Sequence, residues 1–369
     1  MTPLSVQPED LRRVLVRQQG LERLAPASDS ATLDVLGQLG MIQLDPIDRY
    51  GSSPDLVVHA RVRGHRRGTA FSSLPAGATF EHYAKELCLL PASVFPSYKQ
   101  MLQDNPTYRQ GSRVRALPPS LLDEVYTEIR ERGPSTTRQL QDRGEASAQT
   151  WTGWVGTKRQ TTLAVRALWL QCRLVPVGRE GRNRVWDVPE RALGPQCTAP
   201  VAPEWRSQLL QDRIRAAAVL PMSSGPWWGG LRPHKAQLTQ ALLKQGAAVQ
   251  VRLDGSRKSW LCAHDPRPSP PLDCDEHMRV IAPLDPLVWD RTLVERVFGA
   301  RYVWEIYKPE AVREWGYYVC PLLHKGRWVG RFEAHREGPD LVLDRLWKES
   351  PNFDEDAWNA CFERLQAFQ

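Results

Sequence analysis

The stretch Met41-Ile42-Gln43-Leu44-Asp45-Pro46-Ile47 is an apolar run interrupted by two polar side chains. Side chains alternate between the faces of a strand, so this spacing predicts a short strand with Gln43 and Asp45 on one side. Ile42 and Leu44 then face the other way and anchor it in a core. Pro46 has no N–H to donate, so the strand ends there or lies on an edge. A carboxylate and an amide held side by side suit cleavage of a C1′–N bond, whose transition state has oxocarbenium character. The carboxylate faces developing positive charge or activates a water, and the amide orients that water or the substrate. The solvated outer face of an edge strand explains Gln-x-Asp equally well, and the rest of the chain has to decide.

Upstream, residues 8–24 read as a helix. Pro8 suits its first turn, Glu9 and Asp10 sit near the positive end of its dipole, and Leu11, Val14, Leu15 and Gln18 share a face. Asp29 or Ser30 can cap a second helix, Ala31–Leu39, that stops at Gly40. Helix, helix, strand is the order of a winged-helix unit. Downstream, Arg61, Arg63, Arg66 and Arg67 crowd a loop with Gly64 and Gly68, readable as a solvated charge run or as phosphate contacts. Phe80–Pro91 reads as an amphipathic helix stopped by proline, and residues 109–115 as a second basic connector.

Two further helical units follow. Leu121, Leu122, Val125 and Ile129 have helical spacing, Ser135–Leu140 reads as a capped short helix, and Lys158–Gln171 as a third helix. Leu174–Val177 and Val185–Val188 then flank a basic, glycine-containing turn, a hairpin that reads as a wing. The pattern returns at Trp205–Val219 and Pro233–Gln245, followed by strands around Asp254-Gly255, a strong hairpin turn. Arg267–Asp275 is a proline-rich linker, and an aromatic α/β segment closes the chain. In that segment Asp285, Arg291, Glu305 and Arg313 read as buried ion pairs that hold the lobe together. The fold expected is α+β: tandem winged helix-turn-helix units in residues 1–115, 116–200 and 201–265, and a C-terminal mixed α/β lobe in 276–369, arranged around a DNA-binding concavity.

Composition narrows the function. No apolar run reaches membrane-spanning length, and residues 1–13 carry no apolar signal region, so a soluble cytoplasmic protein is expected. Seven cysteines, an odd number with no Cys-x-x-Cys, argue against a disulfide framework, a zinc finger or an iron–sulfur cluster. The net charge of +7 is compatible with a polyanionic partner.

The C-terminal motifs PLDPLVWDR (283–291), YVWEIYKP (302–309), REWGYYVCPLL (313–323) and GRFE (330–333), with MIQLDPI near the start, resemble the YcaQ/AlkX and AlkZ group of winged-helix DNA glycosylases. The resemblance covers most of the chain and is strongest in 281–333. It implies that Gln43 and Asp45 are the catalytic pair of the YcaQ-like branch. It also implies excision of alkylated bases, unhooking of interstrand crosslinks, and no metal or organic cofactor. Three places depart from the family pattern: Arg49–Ser53 replaces a histidine-bearing stretch, Tyr83-Ala84-Lys85 stands where Trp-x-His is usual, and Glu333 where aspartate is usual.

The expectation is a monofunctional hydrolase, acting as a monomer on double-stranded DNA that carries N7-alkylated purines or crosslinks. Asp45 is the ionised catalytic group and Gln43 positions the water or the nucleotide. Since no lysine lies in the strand, no Schiff-base lyase step is expected. Candidate phosphate contacts are Arg61, Arg63, Arg66, Arg67, Lys158, Arg159, Arg182, Arg184, Arg257 and Lys258. The alternatives are a non-enzymatic winged-helix DNA-binding regulator and a protein-interaction scaffold.

Overall fold

A computed structural model describes residues 2–105, 117–149, 155–181, 183–223 and 225–368. In its first half the chain forms β1 (Leu4–Val6), α1 (Pro8–Gln18), α2 (Ala31–Leu39), β2 (Ile42–Gln43), α3 (Ser53–His59), β3 (Thr79–Tyr83), β4 (Leu87–Pro91) and α4 (Phe95–Asp104). Next come α5 (Pro119–Arg132), β5 (Ser135–Thr136), β6 (Glu145–Gln149), β7 (Val155–Arg159), α6 (Gln160–Leu170), β8 (Val175–Glu180) and β9 (Asn183–Asp187). The rest comprises α7 (Trp205–Ala217), β10 (Leu220–Pro221), α8 (Lys235–Lys244), β11 (Val249–Leu253), β12 (Trp260–Cys262), β13 (Arg279–Val280), α9 (Arg291–Phe298), β14 (Cys320–His324), β15 (Arg327–Glu337), β16 (Asp340–Lys348) and α10 (Glu355–Ala367). Among the described residues no helix is long and apolar enough to cross a membrane. Two compact units result: Met1–Leu74, Ala84–Cys88 and Ser207–Gln369 form one, Pro75–Tyr83 and Leu89–Arg206 the other.

In the first unit, β1 pairs in parallel with β11, Leu4 opposite Val251, and extends the sheet β11–β12–β10. Helix α1 lies on its core with Leu11, Leu15 and Val16 buried, each side chain contributing about 1.5–3 kcal/mol by leaving water. That core continues through Trp260, Ile281, Val294 and Leu323. The lobe after the proline-rich segment is an antiparallel meander β13–β14–β15–β16. Helix α10 is capped by Asp354, whose carboxylate accepts the Ala357 N–H at 3.0 Å, and it buries Trp358, Cys361 and Leu365.

Arg61 is part of this core and not a phosphate contact. Its guanidinium is 2% exposed and grips the fully buried Asp285 at 2.7 and 3.0 Å. It also donates to the Gln19 and Val57 carbonyls at 2.7 and 2.9 Å. Of the four residues read as buried ion pairs, Asp285 is therefore matched from far upstream. Glu305 is buried against the Lys308 ammonium at 2.5 Å and the Trp315 N–H at 2.8 Å. Arg291 is exposed, and Arg313 packs on a tyrosine ring.

In the second unit, β3 lies beside the end of β4, so Phe80–Pro91 is not the expected helix. Phe80, Glu81, His82, Leu89 and Leu90 are all buried, and strands buried on both faces give a continuous apolar run that mimics a helix. Phe80 packs edge-on to Phe95 and Tyr98 of α4, at 5.1 and 5.6 Å between ring centres. Ser135–Leu140 is not helical either. Ser135 and Thr136 pair with Trp186 and Val185, and Gln139 Oε1 accepts the Thr136 N–H at 2.7 Å, closing a turn. The next helix starts at Gln160, because Lys158 and Arg159 complete the ladder between β7 and β6. The hairpin β8–β9 forms as expected, in the sheet order β5–β9–β8.

Candidate active site

Gly40 ends α2 in the left-handed conformation (φ 67°), which a side chain would strain, and lets the chain turn directly into β2. The strand is shorter than the alternation predicts. Ile42 and Gln43 form it, and Leu44 extends the pairing by donating its N–H to the Leu87 carbonyl at 2.8 Å. Asp45 lies beyond the strand, in an Asx turn over Pro46. Its Oδ1 accepts the Ile47 N–H at 2.9 Å, which fixes the carboxyl locally. Gln43 is 6% exposed, and its buried Oε1 has no hydrogen-bond partner among the described residues. A buried amide oxygen left unbonded costs about 1–3 kcal/mol. Asp45 is partly buried, and loss of hydration pushes its carboxyl above the usual value against the opposing pull of the Ile47 N–H.

The aromatic motif at 313–323 comes into this setting. Tyr318 is buried, and the charges of Asp45 and Asp48 add to burial and Cys320 in holding its hydroxyl well above the ordinary tyrosine range. Its ring meets Tyr50 edge-on at 5.4 Å, and the Tyr50 hydroxyl lies 2.9 Å from Cys320 Sγ. Glu333 sets the backbone that carries these rings: Oε1 accepts the N–H groups of Tyr317 and Tyr318 at 2.7 and 2.8 Å. Glycine beneath it leaves the carboxylate in place, since a Cβ on Gly316 would stand 2.2 Å from Glu333 Oε2 and force it to move. Tyr318 thus faces inward while Tyr317 is 36% exposed. The sequence alone did not reveal these roles. The signal was the glycine before two tyrosines, together with a downstream carboxylate in the Gly-Arg-x position.

Lys85 also belongs to the region, two residues before the carbonyl that receives Leu44. Its ammonium stands 4.8 Å from the centre of the Trp289 ring. Burial, aided by Arg291, pushes its pKa down to about 8.

The basic candidates divide by environment. Arg63, Arg66 and Arg257 are exposed; Lys258 is exposed with its ammonium 2.8 Å from Thr292 Oγ1. Arg67 pairs with Asp48 at 2.8 Å, Arg159 with Asp142 at 3.1 Å, and Arg184 with Glu81 at 3.1 Å. Arg61 is buried, as described above. Arg182 and the Lys158 side chain lie outside the described residues, as does the basic connector 109–115.

The family model for AlkZ-like DNA glycosylases matches residues 36–368. Among solved structures, the Streptomyces sahachiroi DNA glycosylase AlkZ has the same overall fold, with a TM-score of 0.62 at 16% identity. The match covers 99% of this chain and 97% of that one. The stretch around Gln43 and Asp45 and the aromatic motifs at 283–333 lie inside the matched range. The chain belongs to the AlkZ-like DNA glycosylases, hydrolases that act on the N-glycosyl bonds of DNA.

Proposed function

We propose that the enzyme is a monofunctional glycosylase that removes N7-alkylated purines and unhooks interstrand crosslinks joined through them. The observation that carries this reading is the juxtaposition at the end of β2. A half-buried carboxyl, Asp45, follows two residues after a buried amide oxygen that has no hydrogen-bond partner among the described residues. N7-alkylation already makes the purine cationic, so the base leaves without being protonated. Positive charge then develops at C1′. Asp45 stabilises it as a carboxylate and accepts the proton of the attacking water, while Gln43 positions that water or the nucleotide. Burial makes Asp45 a stronger base than a solvated carboxylate, which suits the second half of its role.

Tandem winged helices are the DNA-binding framework in this reading, supported by a repeated topology. In 201–265 the order helix, strand, helix, hairpin gives β10–β12–β11, and in 116–200 the same order, with the hairpin β6–β7 inserted before the second helix, gives β5–β9–β8. In both, the first short strand lies beside the last. The exposed Arg63, Arg66, Arg257 and Lys258 are the leading phosphate contacts, with Arg67, Arg159 and Arg184 available only by exchanging a carboxylate for a phosphate.

The test is excision of N7-methylguanine from duplex DNA, read as alkali-sensitive strand cleavage. Asp45→Asn keeps the shape and removes the charge. It is expected to slow excision by at least 100- to 1,000-fold, about 3–4 kcal/mol. Wild-type rates in Asp45→Asn would refute the assignment. A nitrogen-mustard crosslink in the same assay tests unhooking, and nicking of abasic DNA without alkali would refute the monofunctional reading.

A further inference from the structure

Three of the large apolar side chains left exposed, Tyr307 (82%), Val312 (61%) and Tyr317 (36%), fall within one short stretch of the C-terminal lobe. Clustered exposure of this kind marks a binding surface rather than chance. Cations back it. The Arg49 and Arg313 guanidiniums lie 5.7 and 5.0 Å from the centre of the Tyr317 ring. Arg313 also donates from Nε to the Lys308 carbonyl at 3.0 Å, so one guanidinium ties the Tyr307 turn to the Tyr317 turn. Below Tyr307, Trp304 stacks edge-on at 5.7 Å and meets Tyr318 edge-on at 6.2 Å. The surface therefore combines exposed aromatic rings with guanidiniums beside one of them, on the same unit as Asp45.

We propose that Tyr317 and Tyr307 form a stacking shelf that receives a nucleobase unstacked at the lesion, with Arg49 and Arg313 holding the adjoining phosphates. This rests on the reading of Asp45 as the reacting carboxylate, which places the shelf beside the damaged nucleotide. Aromatic rings bind bases of any sequence through their π faces, and guanidiniums suit the phosphates between them. A surface shelf leaves a base free to stay tethered to the opposite strand, which a closed pocket does not. Glu333 and Gly316 matter to it because they fix Tyr317 outward.

The test uses the full-length protein and duplexes with a tetrahydrofuran abasic analogue. One duplex carries 2-aminopurine opposite the analogue and another carries it on the adjacent nucleotide. Stacking on tyrosine quenches 2-aminopurine, so binding of the wild-type protein should lower emission from at least one duplex. Tyr317→Ala should abolish that quenching and weaken binding about tenfold, while Tyr317→Phe retains both. Arg49→Ala should weaken binding and reduce its salt dependence. Melting temperatures within a degree or two of the wild type would show that the variants fold. The proposal is overturned if Tyr317→Ala quenches and binds like the wild type. It is also overturned if undamaged duplex loses as much affinity as the analogue, or if Tyr317→Phe fails to restore binding. Asp45→Asn should quench normally, so a failure of the Asp45 assignment appears in excision and a failure of the shelf in fluorescence.

Discussion

Arg61 offers the clearest decision between sequence and structure. In Arg61→Met a side chain of similar volume replaces the guanidinium and leaves the Asp285 carboxylate, 0% exposed, with only its Leu287 N–H bond at 3.0 Å. The carbonyls of Gln19 and Val57 lose their donor as well. Stranding one member of a buried pair costs about 3–5 kcal/mol. At roughly 2–4 °C per kcal/mol for a domain of this size, the melting temperature should fall by about 6–20 °C. Asp285→Leu should cost a similar amount. The double variant Arg61→Met, Asp285→Leu should recover most of the loss, because neither charge is left stranded. Thermal melts of the four proteins give the coupling. DNA affinity measured against salt then completes the test, since a core arginine leaves the slope unchanged. If Arg61→Met melts with the wild type and lowers the salt slope by about 0.9, the guanidinium contacts phosphate and the burial argument is wrong.

Other outcomes follow from the same geometry. Burial pushes His59 down to about 3 and His82 to about 4, so both enter the folded state neutral. Below about pH 6.5 the unfolded chain takes up protons that the folded one refuses. Stability is therefore intact above that pH and falls toward pH 3–4, by about 1.4 kcal/mol per unit for each group. His59→Phe should flatten part of this slope in urea titrations run from pH 7 to 4, and an unchanged slope would contradict it. The raised carboxyl of Asp45 places the acid limb of single-turnover excision above the ordinary aspartate value; a limb at or below that value would mean another base. Gly316→Ala should displace Glu333, release the Tyr317 and Tyr318 N–H groups, and destabilise by about 1–3 kcal/mol, with a wild-type melt as the contrary result. Arg63→Ala and Arg257→Ala should each lower the salt slope of duplex binding by about 0.9 if each meets a phosphate.

The parts legible in the sequence were those with local causes. α1, α2 and α5, the Asp254-Gly255 hairpin and the β8–β9 hairpin follow from apolar spacing, proline, and glycine at turns. Residues 80–91 failed because Leu87–Leu90 is apolar on both faces, and no period distinguishes such a strand from a buried helix. Arg61 failed because its partner Asp285 is 224 residues away, so its loop reads as a run of surface charge. Gln43 and Asp45 were visible as a pair, but their arrangement was not. Alternation put both on a strand, whereas Pro46 and the Ile47 N–H draw Asp45 into a turn. Tyr317 and Tyr318 showed no separate roles until the Glu333 carboxylate fixed which one points out.

The pairing of Leu4–Val6 with Val251–Leu253 has a consequence for biosynthesis. On a ribosome adding 5–20 residues per second, the first strand waits about 10–50 s before its partner is made. Through that interval Leu11, Leu15 and Val16 lack much of the surface that later covers them. Nascent chains stalled before residue 250 should thus hold their opening helix open to chaperones and proteases, and release beyond that point should close it.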